Sequence, residues 1–218
     1  MRFKKGGVMM GAALATIVAG SAAADTIVQS QDFSFPLSPN SAILSFDQFD
    51  SSLGELKSVE ILIDGEIGAA VTAENDSILP SPDFSLNISG FMTVDFSTLS
   101  GLILFDETIA SGGVGPTDGV PGSGPDFFDF GQVGDSGNDG DFEDTDLASY
   151  IGGGTIDANV AAAGGFAVFG STDATINISD FDASGTITVI YDYNPIPAPG
   201  AVALLGLAAV AGRRRRRA

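Results

Sequence analysis

Gly185-Thr-Ile-Thr-Val-Ile-Tyr-Asp-Tyr193 decides the fold class. Ile187, Val189, Tyr191 and Tyr193 fall on one side of a two-residue repeat. Thr186, Thr188, Ile190 and Asp192 fall on the other. Nearly every residue is β-branched or aromatic, which suits a strand with one face buried. Leu56-Lys-Ser-Val-Glu-Ile-Leu-Ile-Asp64 repeats the pattern. Val59, Ile61 and Ile63 form its apolar face, Ser58, Glu60 and Asp64 its polar face, and Leu62 is the exception.

Working outward, further strands are expected over Thr26–Phe35, Ala42–Phe46, Ile67–Ala73, Phe91–Phe96, Gly101–Phe105, Gly165–Gly170 and Ala174–Ile178. Asp64-Gly65 and Ser89-Gly90 read as turns between them. Ser51–Gly54 reads as a single turn of helix. No long amphipathic helical period is present between the two ends of the chain. Many short strands with polar turns predict an all-β fold, an antiparallel sandwich or jelly roll. Alternation argues against a parallel α/β sheet, whose strands are apolar on both faces.

The pattern breaks between Ser111 and Gly154, a stretch rich in Gly, Asp and Pro. It is expected to be a long acidic insertion loop (111–154) on one domain spanning 25–194, because the flanking parts are each small for a domain. Phe127, Phe128, Phe130, Phe142 and Tyr150 predict that part of it packs on the sheets.

The charges are segregated. Of the nine Lys and Arg, Lys57 alone lies in Asp25–Pro195, which holds all 28 Asp and Glu, one positive charge against 28 negative, net −27. Such a surface repels nucleic acid and anionic membrane and favours cations or plain solubility. Cys, His and Trp are absent. That excludes disulfides, Ser-His-Asp and Cys-His catalysis, and His- or Cys-ligated zinc. A carboxylate pair for glycoside hydrolysis is the enzymatic alternative, but among 28 acids no pair stands out. Asn75-Asp-Ser77, Asn87-Ile-Ser89 and Asn177-Ile-Ser179 match the glycosylation acceptor pattern, which is frequent by chance.

The sharpest local feature is Asp135-Ser-Gly-Asn-Asp-Gly-Asp-Phe-Glu-Asp-Thr-Asp146. Calcium takes six to eight oxygens on a tightly turning backbone. Asp135, Asp139, Asp141, Glu143, Asp144 and Asp146 are the candidate ligands. Gly137, where an EF-hand has an oxygen ligand, and Asp146, where it has Glu, make this a poor EF-hand. A simpler calcium loop and a solvated acidic turn remain the two readings.

The ends read as targeting segments. Arg2, Lys4 and Lys5 precede a short apolar run, and Ala22-Ala23-Ala24 gives a small-x-small site with cleavage expected before Asp25. Residues 1–24 are thus expected to be a signal peptide met by signal peptidase and the export machinery. Residues 195–218 combine prolines, an apolar run and an arginine cluster. Gly200 to Gly212 would make ~20 Å of helix against ~30 Å of hydrocarbon. That predicts a transient inner-membrane contact, with the arginines on the cytoplasmic side.

Two resemblances rest on these residues. Pro197, Ala198, Pro199 and Gly200, then the apolar run, then Arg213, Arg214, Arg215, Arg216 and Arg217 resemble a PEP-CTERM sorting signal, with Ala198 in place of the family's Glu. That resemblance implies an exosortase-type processing enzyme in a Gram-negative bacterium. Leu44–Gly65, with its Phe-Asp-Gln-Phe and Leu-Gly-Glu-Leu segments, and Gly185–Tyr193 are similar to choice-of-anchor E domains. That implies an extracellular β-domain without known catalytic residues. By packing alone, the Phe and Leu residues of Phe46–Leu56 would plug one end of the sandwich, with Gly54 at a tight turn. Together these expectations describe an exported, non-enzymatic surface or matrix protein associated with extracellular polysaccharide. A self-associating matrix component, joined through strand edges, is the structural alternative.

Overall fold

The structure is a computed structural model and describes residues 24–196. Ala22 and the sorting positions Pro197 to Arg217 lie outside the described residues, and Asp25 opens the first strand. Eight strands follow: β1 (Asp25–Pro36), β2 (Asn40–Asp47), β3 (Gly54–Asn75), β4 (Ser85–Phe96), β5 (Leu99–Ala110), β6 (Phe127–Glu143), β7 (Thr155–Phe169) and β8 (Ala174–Pro195). A single 3-10 turn, Ala148–Tyr150, lies between β6 and β7. Among the described residues no helix is long and apolar enough to cross a membrane.

The strands form two antiparallel four-stranded sheets, ordered β1-β8-β3-β6 and β2-β7-β4-β5. Within the sheets, β4 pairs with β5, β3 with β6, β2 with β7 and β1 with β8. The chain is therefore one long nested hairpin, pinched at Ser97-Thr98 and rolled into two layers. This is the eight-stranded jelly roll, and the all-β sandwich expectation holds.

The alternation read from the sequence sets the layers. Val59, Ile61 and Ile63 on β3 face Ile187, Val189 and Tyr191 on β8, and all are buried. Leu62 lies on the outer face, as its place in the repeat requires. Phe46, Phe49 and Leu56 plug one end with Phe96 and Tyr150, while Leu53 stays exposed. Phe84, Phe128 and Phe130 cluster at the other end.

Four local expectations change. Asp64-Gly65 and Ser89-Gly90 are not turns, because β3 and β4 run straight through them. Gly65 pairs with Gly185, where a Cβ on Gly185 would lie 2.1 Å from the Asp64 carbonyl oxygen. Glycine here permits close approach of two backbones, not reversal. Gly54 follows the same logic: it starts β3, and a Cβ there would meet the Asn194 carbonyl oxygen at 2.1 Å. Ser51–Leu53 forms a turn without a helix. The 111–154 stretch is only partly a loop. Its second half holds the 17-residue strand β6, which completes the β3 edge.

Candidate functional site

The Asp135–Asp146 run, a calcium loop in one of its two readings, is laid out mainly as strand. Asp135, Asp139 and Asp141 lie on β6 at even spacing, so their side chains leave the same face. That face looks across the open side of the sandwich at β5, the edge of the other sheet. Asp141 Oδ2 accepts the Ser100 backbone N–H at 3.0 Å, Asp139 Oδ2 that of Leu102 at 2.7 Å, and Asp135 Oδ2 that of Asp106 at 2.8 Å. Partners step by two on each strand in opposite directions, so the carboxylates form an antiparallel side-chain ladder. The missing rung falls at Gly137, where a Cβ would meet Ile103 Cγ2 at 2.5 Å.

The remaining acids of the run do something else. Glu143 Oε1 accepts the Thr145 hydroxyl at 2.6 Å, the Thr145 N–H at 2.8 Å and the Asp146 N–H at 3.1 Å. Those bonds, the Thr145 hydroxyl first, hold its carboxyl down at about 2. Asp144 and Asp146 point to solvent. The run is thus spread along a strand and a turn. Among the described residues no three acidic side chains are gathered so as to hold a metal ion.

The opposite open side is closed by the same device with a different residue type. Gln29 Nε2 donates to the Asp47 carbonyl at 2.9 Å and Gln29 Oε1 accepts the Asp47 N–H at 2.9 Å. Gln31 Nε2 donates to the Ser45 carbonyl. A carboxamide both donates and accepts, so Gln29 satisfies both backbone groups of its β2 partner. Both lateral openings between the sheets are bridged by side chains from one sheet to the backbone of the other.

The outer face of the β1-β8-β3-β6 sheet carries aligned polar rows. Asp32, Thr186, Asp64 and Asn138 form one, and Ser34, Ser184, Glu66 and Ser136 the next. Thr186 Oγ1 donates to Asp32 Oδ1 at 2.7 Å and Ser184 Oγ to Glu66 Oε1 at 2.8 Å, which fixes the rows laterally. A shallow trough of about 500 Å³ runs along them, lined by Glu66, Gly68, Gln132, Asp135, Asp182 and Ser184. A smaller one of about 280 Å³ continues it past Asp64, Asn138 and Thr186. Alternation in the sequence marks the polar faces of β3 and β8 only, and the β6 segment reads as loop. The rows needed the β3–β6 and β3–β8 registers, which no local pattern encodes.

Asn75, a formal glycosylation match, is fully buried. Its Nδ2 donates to the Leu79 and Gly115 carbonyls at 2.9 and 2.7 Å, and its Oδ1 accepts the Ser171 hydroxyl at 2.6 Å. It ties three loops together at the Phe84 end of the sandwich and has no free amide to modify.

No protein-family model and no curated protein sequence matches the chain. Among solved structures it is similar to the VP2 subviral particle of infectious bursal disease virus. Identity is 11%, with 89% of this chain and 49% of that chain covered and a TM-score of 0.24. The chain thus spans about half the length of that viral protein. It is also similar to mud crab tombus-like virus, at 10% identity, 94% and 96% coverage and a TM-score of 0.21. At these identities and scores neither carries a function to this chain.

Proposed function

We propose that the chain is an exported, non-catalytic β-module of the bacterial cell surface or extracellular matrix. In this reading the outer β1-β8-β3-β6 face binds a neutral or amino-bearing polysaccharide. The observation that supports it is the pair of polar rows. They place carboxylates and hydroxyls at strand spacing over a shallow trough open along its length. Sugar hydroxyls donate well to carboxylates, and an open groove suits a polymer better than a small ligand. An anionic polymer would be repelled by Asp32, Asp64, Glu66 and Asp182. The expected signal peptide and PEP-CTERM-like tail, with signal peptidase and an exosortase-type enzyme as partners, supply the route outside. The choice-of-anchor E resemblance agrees with a surface module.

The test is isothermal titration of neutral, amino-bearing and uronic polysaccharides into the full chain and an Asp64→Ala/Glu66→Ala variant. Binding of neutral or amino-bearing polymers that weakens in the variant supports the reading. Equal binding by both proteins, or none by the wild type, rejects it.

A further inference from the structure

Asp126 precedes β6 in the loop that runs from Ser111, and it is fully buried. One of its oxygens is occupied: Oδ2 accepts the Asp118 N–H at 2.9 Å. The other, Oδ1, is buried and has no hydrogen-bond partner. A buried carboxylate oxygen left bare is costly, so something should complete it. What faces it is a second carboxylate. The point that a Cβ on Gly124 would occupy is 2.8 Å from Asp126 Oδ1 and 2.2 Å from Asp118 Oδ2. Two carboxylate oxygens from residues eight apart therefore converge on one small space, kept free because residue 124 has no side chain.

We infer that Asp118 and Asp126 form a calcium site beside Gly124. The two oxygens are no farther apart than those two distances together, a gap that one calcium ion with bonds of ~2.3–2.6 Å can bridge. Gly124 has φ +105, so a side chain there would be strained, and its Cβ would press against both carboxylate oxygens. Asp118 is exposed on its outer side, leaving room for the water ligands that two carboxylates alone require. A site with so few protein ligands belongs with extracellular modules, whose dissociation constants are about 10⁻⁴–10⁻³ M. The loop is already oriented for it: Asp118 Oδ1 accepts the Val120 N–H at 2.8 Å, which leaves Oδ2 free for the ion. The Asp126 carbonyl accepts the Asn75 N–H at 3.0 Å, so the site is anchored to the end of β3. The proposal is independent of the polysaccharide reading and of the β6 acids, whose oxygens serve β5.

Calcium chloride is titrated calorimetrically into the full chain at fixed ionic strength, with magnesium chloride as the comparison. Asp118→Asn, Gly124→Ala and, as a control, Asp139→Asn are measured alongside, with folding checked by circular dichroism. The expected result is one saturable calcium site per chain, weakened about tenfold or more by Asp118→Asn. Gly124→Ala should remove it and Asp139→Asn should leave it unchanged. Asp118 is exposed, so its variant tests the site without disturbing the core. Absence of saturable calcium binding in the wild type would overturn the proposal. Survival of the site in both loop variants, or its loss in Asp139→Asn, would overturn it as well.

Discussion

Asp139 Oδ2 accepts the Leu102 backbone N–H at 2.7 Å, joining the edges of two sheets that share no strand. Asp135 and Asp141 repeat the contact on either side. An uncovered edge strand offers a row of unpaired amides to any second chain. Here the Ser100, Leu102 and Asp106 amides of the row on β5 are occupied, and by charged groups that also repel a second copy. The carboxamides of Gln29 and Gln31 do the same for β2. These contacts weigh against association through the β5 and β2 edges.

Replacing Asp135, Asp139 and Asp141 together with Ala should uncover β5. A lost bond to a charged group costs about 1.5–3 kcal/mol, less at an exposed edge where water replaces the acceptor, and removing three like charges relieves repulsion, so the fold should survive. The expected outcome is association: the triple Ala variant sediments as larger species as concentration rises, while the wild type does not. The triple Asn variant loses the charge but keeps an acceptor oxygen, and should fall between. An Asp83→Ala/Asp144→Ala/Asp146→Ala control removes the same charge from side chains that make no such bonds. Association of this control to the same extent would show that charge alone, not edge capping, keeps the protein dispersed.

Gly185→Ala tests the close crossing of β3 and β8. The added Cβ would sit 2.1 Å from the Asp64 carbonyl oxygen and 2.8 Å from Phe33 Cζ. A ring can shift, but the carbonyl is held in the ladder. Overpacking of this kind costs about 1–3 kcal/mol, and a backbone obstacle puts Gly185→Ala at the upper end. Chemical denaturation should show a lower midpoint with an unchanged slope. A midpoint equal to the wild type's would mean that the strands separate easily at this point.

What the sequence made legible follows from the range of each signal. Alternation in Gly185–Tyr193 is local, and it named the buried face of β8 correctly. The same rule missed the strand through Gly134–Asp141, because its glycines and acids have low strand propensity. That segment is a strand because β3 pairs with it on one side and β5 draws its carboxylates on the other. Asp64-Gly65 has the composition of a hairpin turn, yet the need for glycine there comes from the facing sheet, where a Cβ would meet Met92 Sδ at 2.7 Å and Ile103 Cδ1 at 3.1 Å. The Asp118–Asp126 convergence was invisible for a similar reason. In a chain with 28 acids, composition conceals which two carboxylates face each other.

Glu143 and Tyr191 contribute pH dependence at opposite ends. Glu143, held near 2 against an ordinary 4.5 mainly by the Thr145 hydroxyl, stabilises the fold above pH 4.5. That contribution is lost as pH falls toward 2. Burial, aided by Tyr150 and Asp47, pushes the Tyr191 phenol up to about 12, and its hydroxyl donates to the Asp47 carbonyl at 3.1 Å. The unfolded chain ionises this group near 10, so its contribution is complete below pH 10 and disappears as pH rises through 12. Glu143→Gln should flatten the acid limb of a stability–pH curve and Tyr191→Phe the alkaline limb. Each limb should be untouched by the other variant. Unchanged limbs in both would place the titrating groups elsewhere.

Salt should stabilise the protein, because the charges it screens repel. The described residues hold one lysine against 28 acids. Their one ion pair, Lys57 with Glu55 at 2.6 Å, is solvent-exposed and of the kind worth little. Screening therefore has almost no attraction to weaken. The edge ladder is not an exception, since its carboxylates bond neutral amides at short range. With the Debye length falling from ~10 Å at 0.1 M salt to ~3 Å at 1 M, the melting temperature should climb through that range and then level off. Sodium chloride is the agent to use, so that divalent binding at Asp118 and Asp126 does not contribute. Lys57→Gln should leave the slope nearly unchanged. A melting temperature that falls with salt would mean that the acidic surface is organised by bound cations which sodium displaces, not dominated by its own repulsion.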